Sequence, residues 1–231
     1  MRNVLDRIVQ WQTRAQEPGL SALLLLELLA IFVVVPLSEL GVLSFRLSNV
    51  AVSLVLVAGC AVVSRHRIAL AAILVSISAG WLSIYLRETL PSVATAYANL
   101  AAVLVFLIVL TSVVGYAVFA SGRVTLHRVQ GAIVIYLHLA LIFSILYLMI
   151  ALFAPNPFSP PINAMERSGI AQSIYFSFVT LTSTGYGDIV PLHPFTRGLA
   201  NLEGVIGQLF PATLIARLVT LELQLKKRKP D

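Results

Sequence analysis

The chain has 231 residues, of which 58% are hydrophobic and only 11% are charged, and its mean hydropathy is +0.92. A soluble domain carries roughly a quarter charged residues, so this composition excludes an ordinary soluble protein and indicates an integral membrane protein. The net charge of +6 does not indicate nucleic acid binding, because the cations lie at the ends of apolar segments, where membrane topology explains them. The single cysteine, Cys60, excludes an internal disulfide.

The first segment, residues 1–19, places apolar and charged side chains on opposite faces of a helix. Val4, Leu5 and Ile8 share the apolar face. We expect a short interfacial helix that lies on the membrane surface in contact with lipids, and a solvated tail is the alternative. Pro18 and Gly19 end this segment.

Six apolar segments follow, each close to the ~20 residues that cross a bilayer. They are residues 20–37, 47–64, 68–86, 92–120, 131–153 and 195–221. The segment 170–181 is apolar but too short to cross, so we expect it to be re-entrant. The predicted fold class is an all-α membrane protein with six transmembrane helices and one re-entrant helix.

The positive charges predict the orientation of these spans. With both termini in the cytoplasm, the inner segments hold 12 lysines and arginines and the outer segments hold 4. This is the expected bias of cations toward the cytoplasmic side. We expect a plasma membrane location, and the short chain and the excess of arginine over lysine favour a bacterial inner membrane.

Between the last two spans, residues 182–188 read Thr-Ser-Thr-Gly-Tyr-Gly-Asp. Glycine adopts, without steric cost, the backbone angles that turn successive carbonyls the same way. This stretch resembles the filter of the tetrameric potassium-channel superfamily, which reads Thr-Val-Gly-Tyr-Gly before an acid. In that family, rings of backbone carbonyls replace the hydration shell of the ion.

The resemblance implies a pore helix at 170–181 and a selectivity filter that coordinates K⁺ through five residues: Ser183, Thr184, Gly185, Tyr186 and Gly187. The K⁺ ions themselves are expected at Ser183, Thr184, Gly185 and Tyr186. Ser183 replaces the threonine of the family and keeps its hydroxyl, whereas Thr184 replaces a valine. One chain supplies one loop, so a homotetramer is implied. No cofactor is expected apart from the permeant potassium ions.

Three residues are expected to support the filter. Thr182 is expected to satisfy backbone or neighbouring helix groups at the end of the pore helix, and ordinary packing is the alternative. Asp188 is expected to hydrogen-bond behind the filter or to concentrate cations at its mouth; a simple helix-entry acid is the alternative. Glu203 is an acid within a span, where an unpaired charge is costly. We expect it to reach hydroxyls of the pore helix, and a direct effect on permeating ions is the alternative.

The last span contains the candidate gate. Gly207 lies 19 residues after Asp188 and resembles the hinge glycine of the family. Pro211 removes the hydrogen bond to the carbonyl of Gly207, so both weaknesses fall on one turn. A bend between Gly207 and Pro211 is expected, with Gly204 adding slack. The alternative is that Gly207 only permits close packing of helices.

The resemblance also divides the chain into regions. Residues 20–120 correspond to a four-helix domain like a voltage sensor, 121–130 to a linker, 131–221 to the pore domain and 222–231 to a basic cytoplasmic tail. Residues 92–120 contain no charged side chain, so gating charges are missing and channel opening is expected to be largely independent of voltage. Glu27 has no arginine to pair with there, and His138 is expected to be a hydrogen-bonded packing residue.

Together these features predict a potassium-selective channel subunit that conducts passively. One alternative is a cation transporter built from pore-loop repeats, which would need several loops in one chain. A second is a non-conducting subunit that dampens a partner channel. No nucleophile–base pair, nucleotide loop or zinc-ligand spacing indicates an enzyme.

Overall fold

The computed structural model describes residues 20–43, 53–60, 62, 67–89, 92–119 and 126–227. Within this part of the chain nearly every segment is helical. The predicted interfacial helix at 1–19 and the end of the basic tail at 228–231 lie outside the described residues.

The described residues form seven helical segments and two short strands. The helices are α1 (Leu20–Glu39), α2 (residues 53–60), α3 (Arg67–Thr89), α4 (Val93–Phe119), α5 (Leu126–Phe153), α6 (Arg167–Leu181) and α7 (Pro194–Lys227). The strands are β1 (Phe158–Ser159) and β2 (Val190–Pro191). The helix α6 and the loop after it lie between α5 and α7, in the order that the sequence predicts.

In the part of the chain that the structure describes, four helices are long and apolar enough to cross a membrane: α1, α4, α5 and the Pro194–Arg217 part of α7. The third predicted span forms α3, whose apolar helical stretch, Ala69–Leu82, is shorter. The second predicted span, 47–64, is described only at 53–60 and at residue 62. The membrane-helical class is therefore found, and the number of six spans stays a prediction.

Two helices begin earlier than their apolar segments suggested. α5 begins at Leu126, so residues 126–130 of the predicted linker are its first turns, and α6 begins at Arg167 rather than at 170. Hydropathy marks the part of a helix that matches lipid, whereas the backbone hydrogen bonds continue through polar residues. α7 begins with Pro194, a residue favoured at the first helical position because its missing N–H has no partner there anyway.

The packed interior has two parts. The first joins α1, α3, α4 and α5 through buried aliphatic and aromatic side chains such as Leu23, Ile73, Leu110 and Val134. The second joins α5, α6 and the loop between them around three aromatic rings, those of Tyr147, Phe158 and Phe176. These three rings contact one another edge to face, with centroids 5.0–5.7 Å apart. The second cluster holds α6 rigidly beside α5.

The strands tie the two sides of the central loop together. Phe158 pairs with Pro191 and Ser159 with Val190, so the loop before α6 is bonded to the loop that enters α7. The carbonyl of Pro157 also accepts a hydrogen bond from the Thr196 hydroxyl at 3.1 Å. The stretch between α6 and α7 is thus fixed at both ends.

The helix α1 reaches the same region from the other side. It contains a π-helical turn at Ala30–Val34, just before Pro36, which cannot donate a backbone hydrogen bond. The ring of Phe32, in this turn, contacts the ring of Phe178 in α6 with centroids 5.5 Å apart. α1 therefore packs directly on the helix that precedes the candidate filter.

Candidate ion-conduction site

The C-terminal end of α6 is capped by the loop that follows it. The backbone N–H groups of Thr184 and Gly185 both donate to the carbonyl of Val179, at 2.9 and 3.3 Å, and the N–H of Ser183 donates to Thr180 at 3.0 Å. These bonds satisfy carbonyls that a helix end otherwise leaves unpaired. They also fix the direction in which residues 182–188 leave the helix.

The backbone of this loop alternates in handedness. Ser183, Gly185 and Gly187 have φ values of 56°, 58° and 80°, whereas Thr184 and Tyr186 are not in the left-handed region. In an ordinary strand successive carbonyls point to opposite sides, and reversing the handedness of every second residue turns them toward one side. The loop is therefore built to present a row of carbonyl oxygens.

Gly185 and Gly187 are required for their backbone angles and not because a side chain would lack room. A Cβ atom on Gly185 or Gly187 would meet no other atom within 4 Å. Their left-handed φ angles, however, are ones that a residue with a side chain adopts only at a cost. Ser183 accepts that cost, which is roughly 1–2 kcal/mol for a non-glycine residue, and is held by its contacts.

All the residues from Thr182 to Asp188 are exposed in the single chain. The ring of Tyr186 lies parallel to that of Tyr175 in α6, with centroids 6.4 Å apart. Asp188 interacts electrostatically with the same Tyr175 phenol. α7 begins only at Pro194, six residues after Asp188, and the role of Asp188 at the filter stays a prediction.

Thr182 and Glu203 both contact the loop or the helix before it. The Thr182 hydroxyl bonds the Phe178 carbonyl at 2.7 Å and the Thr184 hydroxyl at 2.8 Å. Glu203 is fully buried, accepts a hydrogen bond from the Tyr147 hydroxyl at 2.6 Å, and contacts the Ser177 hydroxyl of α6. The structure places Glu203 on the hydroxyl of the pore helix, as expected, and adds Tyr147, which sequence reasoning did not identify.

The number of hydrogens available around Glu203 indicates which group donates in each of its hydrogen bonds. The Ser177 hydroxyl lies 2.6 Å from the carbonyl of Ala140 as well as against Glu203, yet it has only one hydrogen to donate. If Glu203 carries a proton, it donates to Ser177, and Ser177 donates to Ala140. A neutral acid also avoids placing a lone charge within the membrane.

α7 approaches the end of α6 closely at Gly207. A Cβ atom on Gly207 would lie 1.9 Å from the carbonyl oxygen of Leu181 and 2.8 Å from its carbonyl carbon. Leu181 is the last residue of α6, and its carbonyl also accepts from the Tyr136 hydroxyl at 3.3 Å. Gly207 therefore serves helix packing, and α7 continues through Pro211 as a single helix. The proposed bend at this turn stays a prediction.

The residue after Gly207 also reaches the filter. The Gln208 side-chain amide donates a hydrogen bond to the Ser183 hydroxyl at 2.8 Å. Sequence reasoning did not single out Gln208, although its place directly after the candidate hinge glycine was a usable signal. The contact joins α7 to the first part of the loop that follows α6.

A second buried polar group lies away from the filter. His138 in α5 hydrogen-bonds the Glu27 carboxylate of α1 through Nε2 at 2.6 Å and the Thr111 hydroxyl of α4 through Nδ1 at 2.8 Å. Both Glu27 and His138 are buried. His138 is hydrogen-bonded, as expected, and its partner is the acid that sequence reasoning left unpaired. Among the described residues, no partner reaches Glu27 Oε2.

The chemistry of the loop is that of hard oxygen ligands. Within the described residues no group of three or more His, Cys, Asp or Glu side chains is placed to hold a metal ion. The carbonyl oxygens and hydroxyls of residues 183–187 are the groups that suit a weakly bound, rapidly exchanging cation.

Comparisons with known proteins agree with this geometry. A family model described as "Ion channel" matches residues 132–223, from α5 through the loop to α7. No solved structure matches the chain significantly. Three curated relatives are similar to part of the chain. Protein LctB of Bacillus caldotenax is 30% identical over 113 residues, which cover 48% of this chain and 84% of the relative, and Protein LctB of Geobacillus stearothermophilus is 31% identical over 115 residues with the same two shares. Two-pore potassium channel 4 of Arabidopsis thaliana is 32% identical over 89 residues, which cover 38% of this chain and 31% of the relative. The chain belongs to the ion channel family, within the potassium-channel superfamily.

Proposed function

We propose that this protein is the subunit of a potassium-selective channel that conducts K⁺ passively. The observation that carries the proposal is the alternating backbone at Ser183, Gly185 and Gly187. It directs carbonyl oxygens to one side, which is the arrangement that replaces the hydration shell of a cation. The name of the plant relative, a potassium channel, supports the same ion.

The functional unit is proposed to be a homotetramer. Residues 182–188 are exposed on the single chain, and one row of carbonyls cannot surround an ion. Four copies around one axis close the ring and cover this surface. Each subunit is proposed to have six spans, a re-entrant α6 and both termini in the cytoplasm. The proposed location is the plasma membrane, specifically a bacterial inner membrane.

Channel opening is proposed to be nearly independent of voltage. Moving one charge through 100 mV is worth ~2.3 kcal/mol, so steep gating needs several charges per subunit. α4 carries no charged side chain, and Glu27 is bonded to His138 instead of facing arginines. Ion movement within the filter can still add a shallow dependence, so recordings should be repeated with a different permeant ion.

The test is the reversal potential of purified protein in liposomes or planar bilayers under K⁺ and Na⁺ gradients. We expect the reversal potential to follow the K⁺ gradient, and equal permeability to the two ions would contradict the proposal. Gly185→Ala should abolish conduction, because its left-handed φ of 58° is strained for alanine. Gly198→Ala is the matched control, since a Cβ there meets nothing within 4 Å and the residue is helical.

The same measurement separates the alternatives. A non-conducting subunit gives no flux even when it is correctly assembled. A transporter shows saturable flux at rates too low for unitary currents. A single loop per chain favours the channel over a protein built from loop repeats.

A further inference from the structure

The side chain of Ser183, the first residue of the proposed filter, has a hydrogen-bond partner on α7. Its hydroxyl oxygen accepts a hydrogen bond from Nε2 of Gln208, at 2.8 Å. The two residues are 25 positions apart, so helix packing and not local sequence brings them together.

The position of Gln208 is set by the residue before it. Gly207 approaches the carbonyl of Leu181 so closely that a Cβ would lie 1.9 Å from its oxygen. This contact fixes α7 against the end of α6, two residues before Ser183. Gln208 therefore cannot shift along the filter without breaking that packing.

Both partners lie on the uncovered side of the chain. Ser183 and Gln208 are exposed, as are the residues from Thr184 to Gly187. In the tetramer proposed above, this is the side that faces the axis. Four Gln208 amides would form a ring at the inner end of the filter.

The hydrogen bond restricts the Ser183 hydroxyl. A hydroxyl has one hydrogen and two acceptor lone pairs, and the amide N–H occupies one lone pair. The hydroxyl oxygen keeps its second lone pair available for a cation. Without the amide, the hydroxyl is free to rotate its hydrogen toward the ion path, where it would repel a cation.

We propose that Gln208 is a positioning residue that holds the Ser183 hydroxyl as a cation ligand and so sets ion binding at the inner end of the filter. The inference rests on the proposed channel function and adds a residue on α7 that controls ion entry from the cytoplasmic side.

The experiment measures single-channel current as K⁺ is varied on one side at a time. Gln208→Leu should raise the cytoplasmic K⁺ concentration at half-maximal current by roughly twofold to tenfold, the range that corresponds to one neutral hydrogen bond. The half-maximal concentration on the outer side should stay unchanged. Gln208→Glu should lower the cytoplasmic value, because an ionised carboxylate adds negative charge beside the inner site.

A second variant tests whether Gln208 acts through Ser183. On a Ser183→Ala background, Gln208→Leu should produce no further change in the cytoplasmic value. Thr213→Val is the matched control, since it removes a hydroxyl of α7 whose bonds stay within that helix, to Leu209 and Phe210. We expect this control to behave as the wild type.

The outcomes are distinct. A wild-type protein that carries no K⁺ current overturns the proposed function together with this inference. A wild type that conducts K⁺, with Gln208→Leu unchanged or with both sides altered equally, overturns only the inference. The inference also fails if Gln208→Leu has its full effect when Ser183 is already alanine.

Discussion

Gly207→Ala tests the close approach of α7 to the end of α6. The new Cβ would lie 1.9 Å from the Leu181 oxygen, and real Cβ contacts are not found below 3.0 Å, so the two backbones must separate by about 1.1 Å. The neighbouring oxygen belongs to the backbone and cannot rotate away. Overpacking of this kind costs ~1–3 kcal/mol. For a chain of this size, that corresponds to a fall in the thermal midpoint of roughly 2–12 °C.

The displacement should also reach the filter, because Leu181 immediately precedes Thr182. We therefore expect Gly207→Ala to lower both the thermal midpoint in detergent and the K⁺ flux in liposomes. Gly204→Ala is the control in the same helix: its Cβ meets nothing within 4 Å, and alanine is the better helix former by up to ~1 kcal/mol. If Gly207→Ala unfolds at the same temperature as Gly204→Ala, the packing argument is wrong.

Three further changes probe the buried polar groups and the proline. Glu203→Gln can keep its bonds to Tyr147 and Ser177. Glu203→Leu leaves the buried Tyr147 hydroxyl without this partner, although Ser177 keeps its bond to the Ala140 carbonyl, and should cost ~1–3 kcal/mol of unfolding free energy, measured by thermal denaturation; equal midpoints for the two variants would contradict this. Glu27→Leu should destabilise the protein by a similar amount because it leaves His138 Nε2 without its partner, and Glu27→Gln, which can still bond that nitrogen, should be milder in the same assay. Pro211→Ala restores an N–H that can bond the Gly207 carbonyl, so single-channel recordings should show a changed open probability; an unchanged value would argue against a hinge at this turn.

The left-handed backbone of the loop at 182–188 could be predicted because its determinants are local. The need for left-handed φ at Gly185 and Gly187 is met by the residues themselves, and the short apolar segment before them follows from hydropathy. The helical membrane class follows equally from composition. These properties do not depend on what other part of the chain packs nearby.

Helix limits were predicted less well, and the number of six spans stays a prediction. Hydropathy placed the start of α5 at residue 131, but hydrogen bonding extends the helix back to Leu126. The third predicted span is a helix of 23 residues, yet its apolar stretch is short. Hydropathy reports where a segment suits lipid, and this differs from where its backbone ladder begins and ends.

The amino-acid sequence by itself determined the membrane class, the backbone of the loop at 182–188, and the presence in α7 of an acid, Glu203, that needs a polar partner. Only the tertiary structure decided which residues hydrogen-bond to one another. Glu27 bonds His138, 111 residues away in the sequence; Glu203 bonds Tyr147, 56 residues away; and Gln208 bonds Ser183, 25 residues away. Backbone conformation is governed by neighbouring residues, so a short motif reveals it. The partners of buried polar groups depend on how the helices pack. The close contact at Gly207 leaves so little space that a displacement of about an ångström between α6 and α7 would alter the contacts between them.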